Sequence, residues 1–358
     1  MSTNRLEETV QALLAPGKGI LAADETLGTI SKRFESLGIV STEESRRTYR
    51  ELLFSAPGLS EFISGVILYD ETIRQKNSRD VPLADAMARE GIIPGIKVDT
   101  GAKPLAGCPD EKVTEGLDGL RERLQDYRKL GARFAKWRAV ILIKDQLPSE
   151  TCMEVNAQAL GRYAALCQEQ GLVPIVEPEV LMDGNHTAAR AEEVTGAVLD
   201  RVFRALYIQR VALEGMLLKP NMIVAANDCQ EQSSVEEVAT ATLRCLRRHV
   251  PPAVPGIVFL SGGQTERVAT EHLNVMNTVP DACPWRLTFS YGRALQDPAL
   301  AAWGGKASGI SLGQQALYHR ARCNSAASLG SYDVSMETEG DGLETRVEPT
   351  SRDHAFGG

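Results

Sequence analysis

EGMLLKPNMIV, residues Glu214 to Val224, reads as a buried β-strand with a lysine at its centre. Met216, Leu217 and Leu218 lead in and Met222, Ile223 and Val224 follow, so Lys219 sits among apolar neighbours. Taking an ammonium out of water costs several kcal/mol unless a partner offsets the loss or the proton leaves. A lysine in such a place is a candidate for chemistry that needs an uncharged amine.

Working outward, GMLLKPNMIV (215–224) is the sixth of eight short apolar segments. The others are GILAAD (19–24), ISGVILYD (63–70), IIPGIKVD (92–99), FAKWRAVILI (134–143), LVPIVEPE (172–179), GIVFLSGG (256–263) and WRLTFSYG (285–292). Each is expected as a strand. Between them lie stretches such as KVTEGLDGLRERLQDYRKLG (112–131) and SVEEVATATLRCLRRHV (234–250), where apolar residues recur at three and four and predict helices. Eight βα units predict a (β/α)8 TIM barrel with an N-terminal helical extension, occupying residues 1–329. No G-x-G-x-x-G follows the first strand, which argues against an open doubly wound sheet. From residue 330 to 358 the chain carries seven acids against two arginines and few apolar residues, and is expected to be a mobile acidic tail.

The 358 residues are 43% hydrophobic, enough for a large core. No apolar run approaches the ~18 residues of a membrane helix, and the first residues lack the apolar centre of a signal peptide. Cytoplasm is the expected location, with a plastid address whose transit peptide has been removed as the open alternative. A net charge of −8 speaks against nucleic acid and anionic membrane as partners. Seven cysteines without a C-x-x-C pair read as reduced structural thiols.

Catalytic residues of such barrels sit where strands end. Here those ends carry Asp24, Lys97 with Asp99, Lys136 with Arg138, Glu177 with Glu179, Lys219, Ser261 with Gly262 and Gly263, and Arg293. One such charge reads as a rim ion pair; seven of eight strands behaving alike do not. Burial and a nearby Lys136 would both lower the pKa of Lys219, and an uncharged amine adds to a carbonyl to form an imine, an electron sink. Asp24, Glu177 and Glu179 supply acids at the same rim for proton transfer. The turns FLSGGQ (259–264) and FSYGRA (289–294) follow strands seven and eight, where barrels frequently hold a phosphate, and Arg293 adds a guanidinium fork. Lys97, Thr26, Thr29 and Arg33 offer a second phosphate locus across the mouth.

LSGGQ also occurs in ABC-type ATPases, but no G-x-x-x-x-G-K-[ST] loop accompanies it. His186, His249, His272, His319 and His354 form no H-x-x-x-H or H-x-H pair and are expected to be exposed, so no catalytic metal site is read.

LAADET, GIKVDTG, PLAGCPDEKVTEGLDGL, FAKWRAV, VPIVEPE, LLKPNM, VPPAVPGIVFLSGGQ and LTFSYGRALQ, in order over residues 5 to 330, closely resemble class I fructose-bisphosphate aldolase. The resemblance implies metal-independent, cofactor-free, reversible cleavage of fructose 1,6-bisphosphate to two triose phosphates by a homotetramer. It matches Lys219 to the Schiff-base lysine, Glu177 to the acid/base for carbinolamine dehydration, and Glu179 to a proton relay. It gives Asp24 the C4 hydroxyl, and Lys136 and Arg138 the substrate hydroxyls. Ser261, Gly262, Gly263, Ser290, Gly292 and Arg293 fall on the 1-phosphate site, and Lys97, Arg33, Thr26 and Thr29 on the 6-phosphate side. Thr100 and Leu142 stand where animal members carry lysines, and this sequence ends Phe356-Gly357-Gly358 rather than in tyrosine. The tail, with Phe356, is expected to visit the mouth and exclude water. Two alternatives stay open: a Schiff-base aldolase for another phosphorylated sugar, and a scaffold or binding protein that retains the fold.

Overall fold

A computed structural model describes residues 3–279 and 283–338. Its strands are β1 (Gly19–Ala23), β2 (Ile63–Leu68), β3 (Ile93–Lys97), β4 (Phe134–Ile141), β5 (Val173–Val180), β6 (Leu217–Leu218), β7 (Gly256–Phe259) and β8 (Arg286–Tyr291). They pair in parallel in chain order, and β8 returns to β1, closing the (β/α)8 barrel expected from the alternating pattern.

Side chains of a strand alternate between its faces, so each barrel strand feeds two cores. Toward the axis, Ile20, Ile67, Phe134, Val173, Ile175, Leu217 and Val258 pack with Leu6, Val10, Leu13 and Leu14. The last four lie on and just after the helix Thr3–Leu13, spaced at three and four, so the N-terminal extension caps the barrel interior. Phe134 fills that interior so completely that a Cβ on Gly95 would lie 2.2 Å from its ring, which is why β3 carries glycine there. The alternate residues, among them Trp137, Val176, Leu218 and Ile257, face outward into the helical layer. Trp137 meets Tyr163 of the helix Glu150–Glu169 with ring centroids 5.5 Å apart.

The same alternation carries Phe134 on to Lys136 and Arg138, and Val173 and Ile175 on to Glu177 and Glu179. Register then sets the polar residues side by side. Lys97 is paired with Lys136, Arg138 with Glu177, and Val140 with Glu179. The interior is apolar toward the strand starts and charged toward the strand ends.

Three expectations are corrected. The strand predicted over 215–224 is only Leu217–Leu218, so Lys219 lies just beyond it, although its N–H still reaches Val176 O at 2.8 Å. Pro220 follows and has no N–H to continue the ladder. The stretch 112–131 is not one helix. Lys112–Glu115 pairs antiparallel with Gly101–Pro104 as a hairpin over the β3–β4 connection, and Gly116 (φ 128°) and Gly119 (φ 64°) separate it from the helix Leu120–Lys129. Finally, residues 331–338 pack against the barrel rather than beginning a solvated tail. Tyr332 is buried, its N–H bonds Asn274 Oδ1 at 3.0 Å, Met336 rests on the core, and Glu337 pairs with Arg320. Apolar residues four apart and a buried guanidinium hold the segment down. The rest of the expected tail, Phe356 included, lies outside the described residues.

Candidate active site

β1, β4, β5 and the turn after β6 bring four ionisable groups to one place inside the mouth. Lys136 Nζ lies 3.0 Å from Asp24 Oδ2 and 2.9 Å from Glu177 Oε2, and Lys219 Nζ lies 3.2 Å from Glu177 Oε1. Lys136, Glu177 and Lys219 are 3–5% exposed. The Glu177 Oε2 contact is an ion pair off the hydrogen-bonding direction, and that oxygen makes no hydrogen bond.

Burial pushes the Lys219 ammonium down from its usual pKa; Glu177 and Asp24 act against this, and the Lys136 cation adds to it. At Asp24 burial acts upward but is outweighed by Lys136, Lys219 and Lys97, which hold the carboxyl at about 2. For Lys136 burial acts downward, yet Asp24 and Glu177 on either side raise it and keep it charged. One lysine is thereby fixed as a cation and the other eased toward the free amine.

A second tier surrounds these groups. Arg138 pairs with Glu179 through Nε, and its N–H donates to Asp99 Oδ2 at 3.2 Å. Asp99, buried, also takes Lys97 Nζ, which in addition donates to its backbone oxygen at 2.8 Å. Arg33 is held between Glu25 and Asp297, the latter at 2.6 Å, and Glu25 further accepts from Arg50 at 2.7 Å and Gln296 at 2.8 Å. Thr26 caps the helix Leu27–Glu35 by accepting from Thr29 N at 3.3 Å, with the two hydroxyls 3.0 Å apart. From sequence Asp99 stands among the strand-end charges with no role given to it, and Glu25 is not selected at all. The legible signal for each was a carboxylate adjoining a strand-end charge, in KVD and ADE.

The glycine-rich side is different. After β7, Ser261 is followed by Gly262 (φ 51°) and Gly263 (φ 89°), and Gln264 N closes the turn on Ser261 O at 2.9 Å. Left-handed backbone at successive residues leaves N–H groups facing one way. Ser290 Oγ on β8 is buried without a hydrogen-bond partner. Arg293 follows Gly292 at the start of the helix Arg293–Trp303 and makes no hydrogen bond or ion pair among the described residues. Against expectation, His272 and His186 are buried. The His272 ring meets Gln264 Oε1 at 2.6 Å, and burial lowers its pKa to about 4, so it holds the phosphate-type turn as a neutral ring. A separate cavity, between residues 51–60 and 77–92 at the starts of β2 and β3, contains none of these groups.

A barrel whose mouth sets a buried lysine among carboxylates, beside a glycine-rich turn and an uncommitted arginine, defines an enzyme built for a phosphorylated carbonyl compound. The family model for fructose-bisphosphate aldolase class-I matches residues 5–349. The chain is 59% identical to a probable fructose-bisphosphate aldolase class 1 of Xylella fastidiosa, over 93% of this chain and 99% of that one. It is 52% identical to the fructose-bisphosphate aldolase of Schistosoma mansoni, over 94% and 93%. A solved fructose-bisphosphate aldolase from Plasmodium falciparum, determined with TRAP and a small-molecule inhibitor, superposes with a TM-score of 0.90 at 49% identity, covering 92% of this chain and 95% of that one. The chain belongs to the class-I fructose-bisphosphate aldolase family: it is an aldolase, a carbon–carbon lyase acting on a sugar phosphate. No helix among the described residues is long and apolar enough to cross a membrane.

The electrostatics predict a signed result. Lys136→Met removes the cation that depresses Lys219 and frees two carboxylates beside it, so Lys219 titrates at higher pH; Glu177→Gln moves it the other way. The pH at which half of Lys219 is labelled by a carbonyl reagent and borohydride, read by peptide mapping, should rise in the first and fall in the second. Equal midpoints in all three proteins would mean that these neighbours do not set the pKa of Lys219.

Proposed function

We propose that the enzyme cleaves fructose 1,6-bisphosphate reversibly through a Schiff base on Lys219 and needs no metal. The observation that carries this reading is the buried Lys219 amine, depressed by its surroundings and 3.2 Å from a carboxylate shared with a second lysine. Its lone pair adds to the C2 carbonyl, and Glu177 delivers the proton with which the C2 hydroxyl leaves as water. Asp24, held ionised, takes the proton from the C4 hydroxyl. As the C3–C4 bond breaks, its electron pair passes to the iminium, giving an enamine and free glyceraldehyde 3-phosphate. Protonation at C3 and hydrolysis then release dihydroxyacetone phosphate and the amine. Lys136 hydrogen-bonds substrate hydroxyls while keeping Asp24 anionic. Arg138 orients Glu179 as a proton relay.

The donor chemistry of the mouth supports metal independence. No trio of His, Cys, Asp or Glu donors converges there among the described residues. The 1-phosphate is assigned to Ser261, Gly262, Gly263, Ser290, Gly292 and Arg293, supported by the unpartnered Ser290 hydroxyl and the uncommitted Arg293. The 6-phosphate is assigned to Lys97, Arg33, Thr26 and Thr29, whose cations are already paired and must share themselves.

Borohydride added with dihydroxyacetone phosphate should fix one triose on Lys219, and turnover should persist in EDTA. Label on another lysine, or activity lost to chelator and restored by metal, overturns the mechanism. For Arg293→Ala the KM for fructose 1,6-bisphosphate should rise about 10–100-fold, the worth of a charge-assisted contact. Lys97→Ala should weaken the bisphosphate but spare fructose 1-phosphate; equal damage to both substrates would remove Lys97 from the 6-phosphate. The homotetramer is also proposed, on exposed Tyr207 and Ile208 at the end of the helix Ala188–Ile208. Sedimentation velocity should show a species of four 38.9 kDa chains, and a monomer at micromolar concentration refutes it.

A further inference from the structure

Outside the mouth, one cluster combines soft and hard donors with no part in the chemistry above. His319 and Cys323 stand one turn apart on the helix Ile310–Ser328, and Glu337 reaches them from the short helix Ser335–Thr338. His319 Nε2 lies 3.7 Å from Cys323 Sγ and 3.8 Å from Glu337 Oε2, and the donor atoms of all three lie within 4.8 Å of one another. We propose that His319 Nε2, Cys323 Sγ and Glu337 bind a divalent transition-metal ion of borderline softness, Zn2+ being the representative.

The distances carry the proposal. Tetrahedral Zn2+ with its usual bond lengths places sulfur about 3.6 Å from nitrogen and nitrogen about 3.4 Å from a carboxylate oxygen. Two of the three separations exceed these by no more than a few tenths of an ångström, and Cys323 Sγ and the Glu337 carboxylate lie within 4.8 Å of each other, so side-chain rotations close the site. An i, i+4 pair on one helical face with a third ligand from another segment leaves the fourth position to water.

The surroundings match what supports ligands elsewhere. Tyr332 OH donates to Glu337 Oε1 at 2.8 Å, and Arg320 Nη1 donates to Oε2, so the carboxylate is oriented by two partners before any metal arrives. Arg320 itself is buried and anchored to Thr270 Oγ1 at 2.7 Å and Glu266 O at 3.3 Å. Cys323 is fully buried, but His319 and Glu337 keep 17% and 19% side-chain exposure, which gives an ion a way in.

Metal binding would tie Glu337, and with it the segment that follows Gly330, to the outer helical layer.

Co2+ is the direct probe, added to the full chain after treatment with chelator. Binding of one equivalent should bring a thiolate-to-cobalt charge-transfer band, and Zn2+ should bleach it. Cys323→Ser should abolish the band, and His319→Ala and Glu337→Gln should each weaken Co2+ at least about tenfold, all three with unchanged cleavage of the bisphosphate. Zn2+ should also protect Tyr332–Glu337 from limited proteolysis in the unsubstituted protein alone. Absence of the band, its survival in Cys323→Ser, or unaltered affinity in the other two variants overturns the site. Should Cys323→Ser fail to fold, Cys323→Ala supplies the spectral control and Glu337→Gln, outside the barrel, carries the affinity test. Because turnover is read separately, failure of this site leaves the Schiff-base reading intact, and the reverse holds as well.

Discussion

Asp24, Lys136, Glu177 and Lys219 form an alternating chain of anion and cation inside the barrel, with successive groups 3.0, 2.9 and 3.2 Å apart. None of the four is tolerable alone at that depth, since an isolated buried charge costs several kcal/mol even after relaxation. Together they sum to zero, and the chain still leaves a gradient along itself. Lys136 has a carboxylate on each side and stays charged; Lys219, at the end, has one carboxylate and a neighbouring cation, so its proton is held least firmly. One arrangement thus holds a lysine eased toward the free amine and a carboxylate kept ionised.

That arrangement depends on the barrel being rigid and in register. Pairing of β3 with β4 and β4 with β5 places Lys97 beside Lys136 and Arg138 beside Glu177, and a slip of one residue would turn every one of these charges into the helical layer. The packed floor prevents the slip. Phe134, Val173, Ile175 and Leu217, sealed by the N-terminal helix, hold the same strand faces that carry the charges a few residues later. The stability of the enzyme and the placement of its acids and bases therefore reside in the same strands.

The two phosphate-type regions are built on opposite principles. On the glycine-rich side Arg293 is uncommitted and Ser290 Oγ lacks a partner, so a ligand adds bonds without breaking any. Across the mouth Lys97 and Arg33 already neutralise buried carboxylates, Asp99 and Glu25, and are positioned by them. Cations of the second kind are preset parts of the wall.

Much of this was legible in the chain. Eight apolar segments alternating with helical periodicity define a barrel, because period two and period 3.6 are backbone properties that any neighbour must accommodate. The residue types at the strand ends were legible too: Asp24, Lys136, Glu177, Lys219 and Arg293 stand where an apolar run meets polarity. The hairpin at 101–115, the two-residue β6 and the docking of residues 331–338 were not, for each depends on how its segment meets another. The same holds for the commitments of individual charges. Sequence alone determined that lysines and carboxylates gather at one barrel mouth. Only the tertiary structure decided that Glu177 is shared by Lys136 and Lys219, that Asp99 and Glu25 hold Lys97 and Arg33, and that His319, Cys323 and Glu337 converge. The sharing of Glu177 and the approach of Glu337 depend on distances of a few ångströms between separate elements, and the short-range pairs Lys97–Asp99 and Arg33–Glu25 on side-chain directions set by the surrounding fold, neither of which a local pattern encodes.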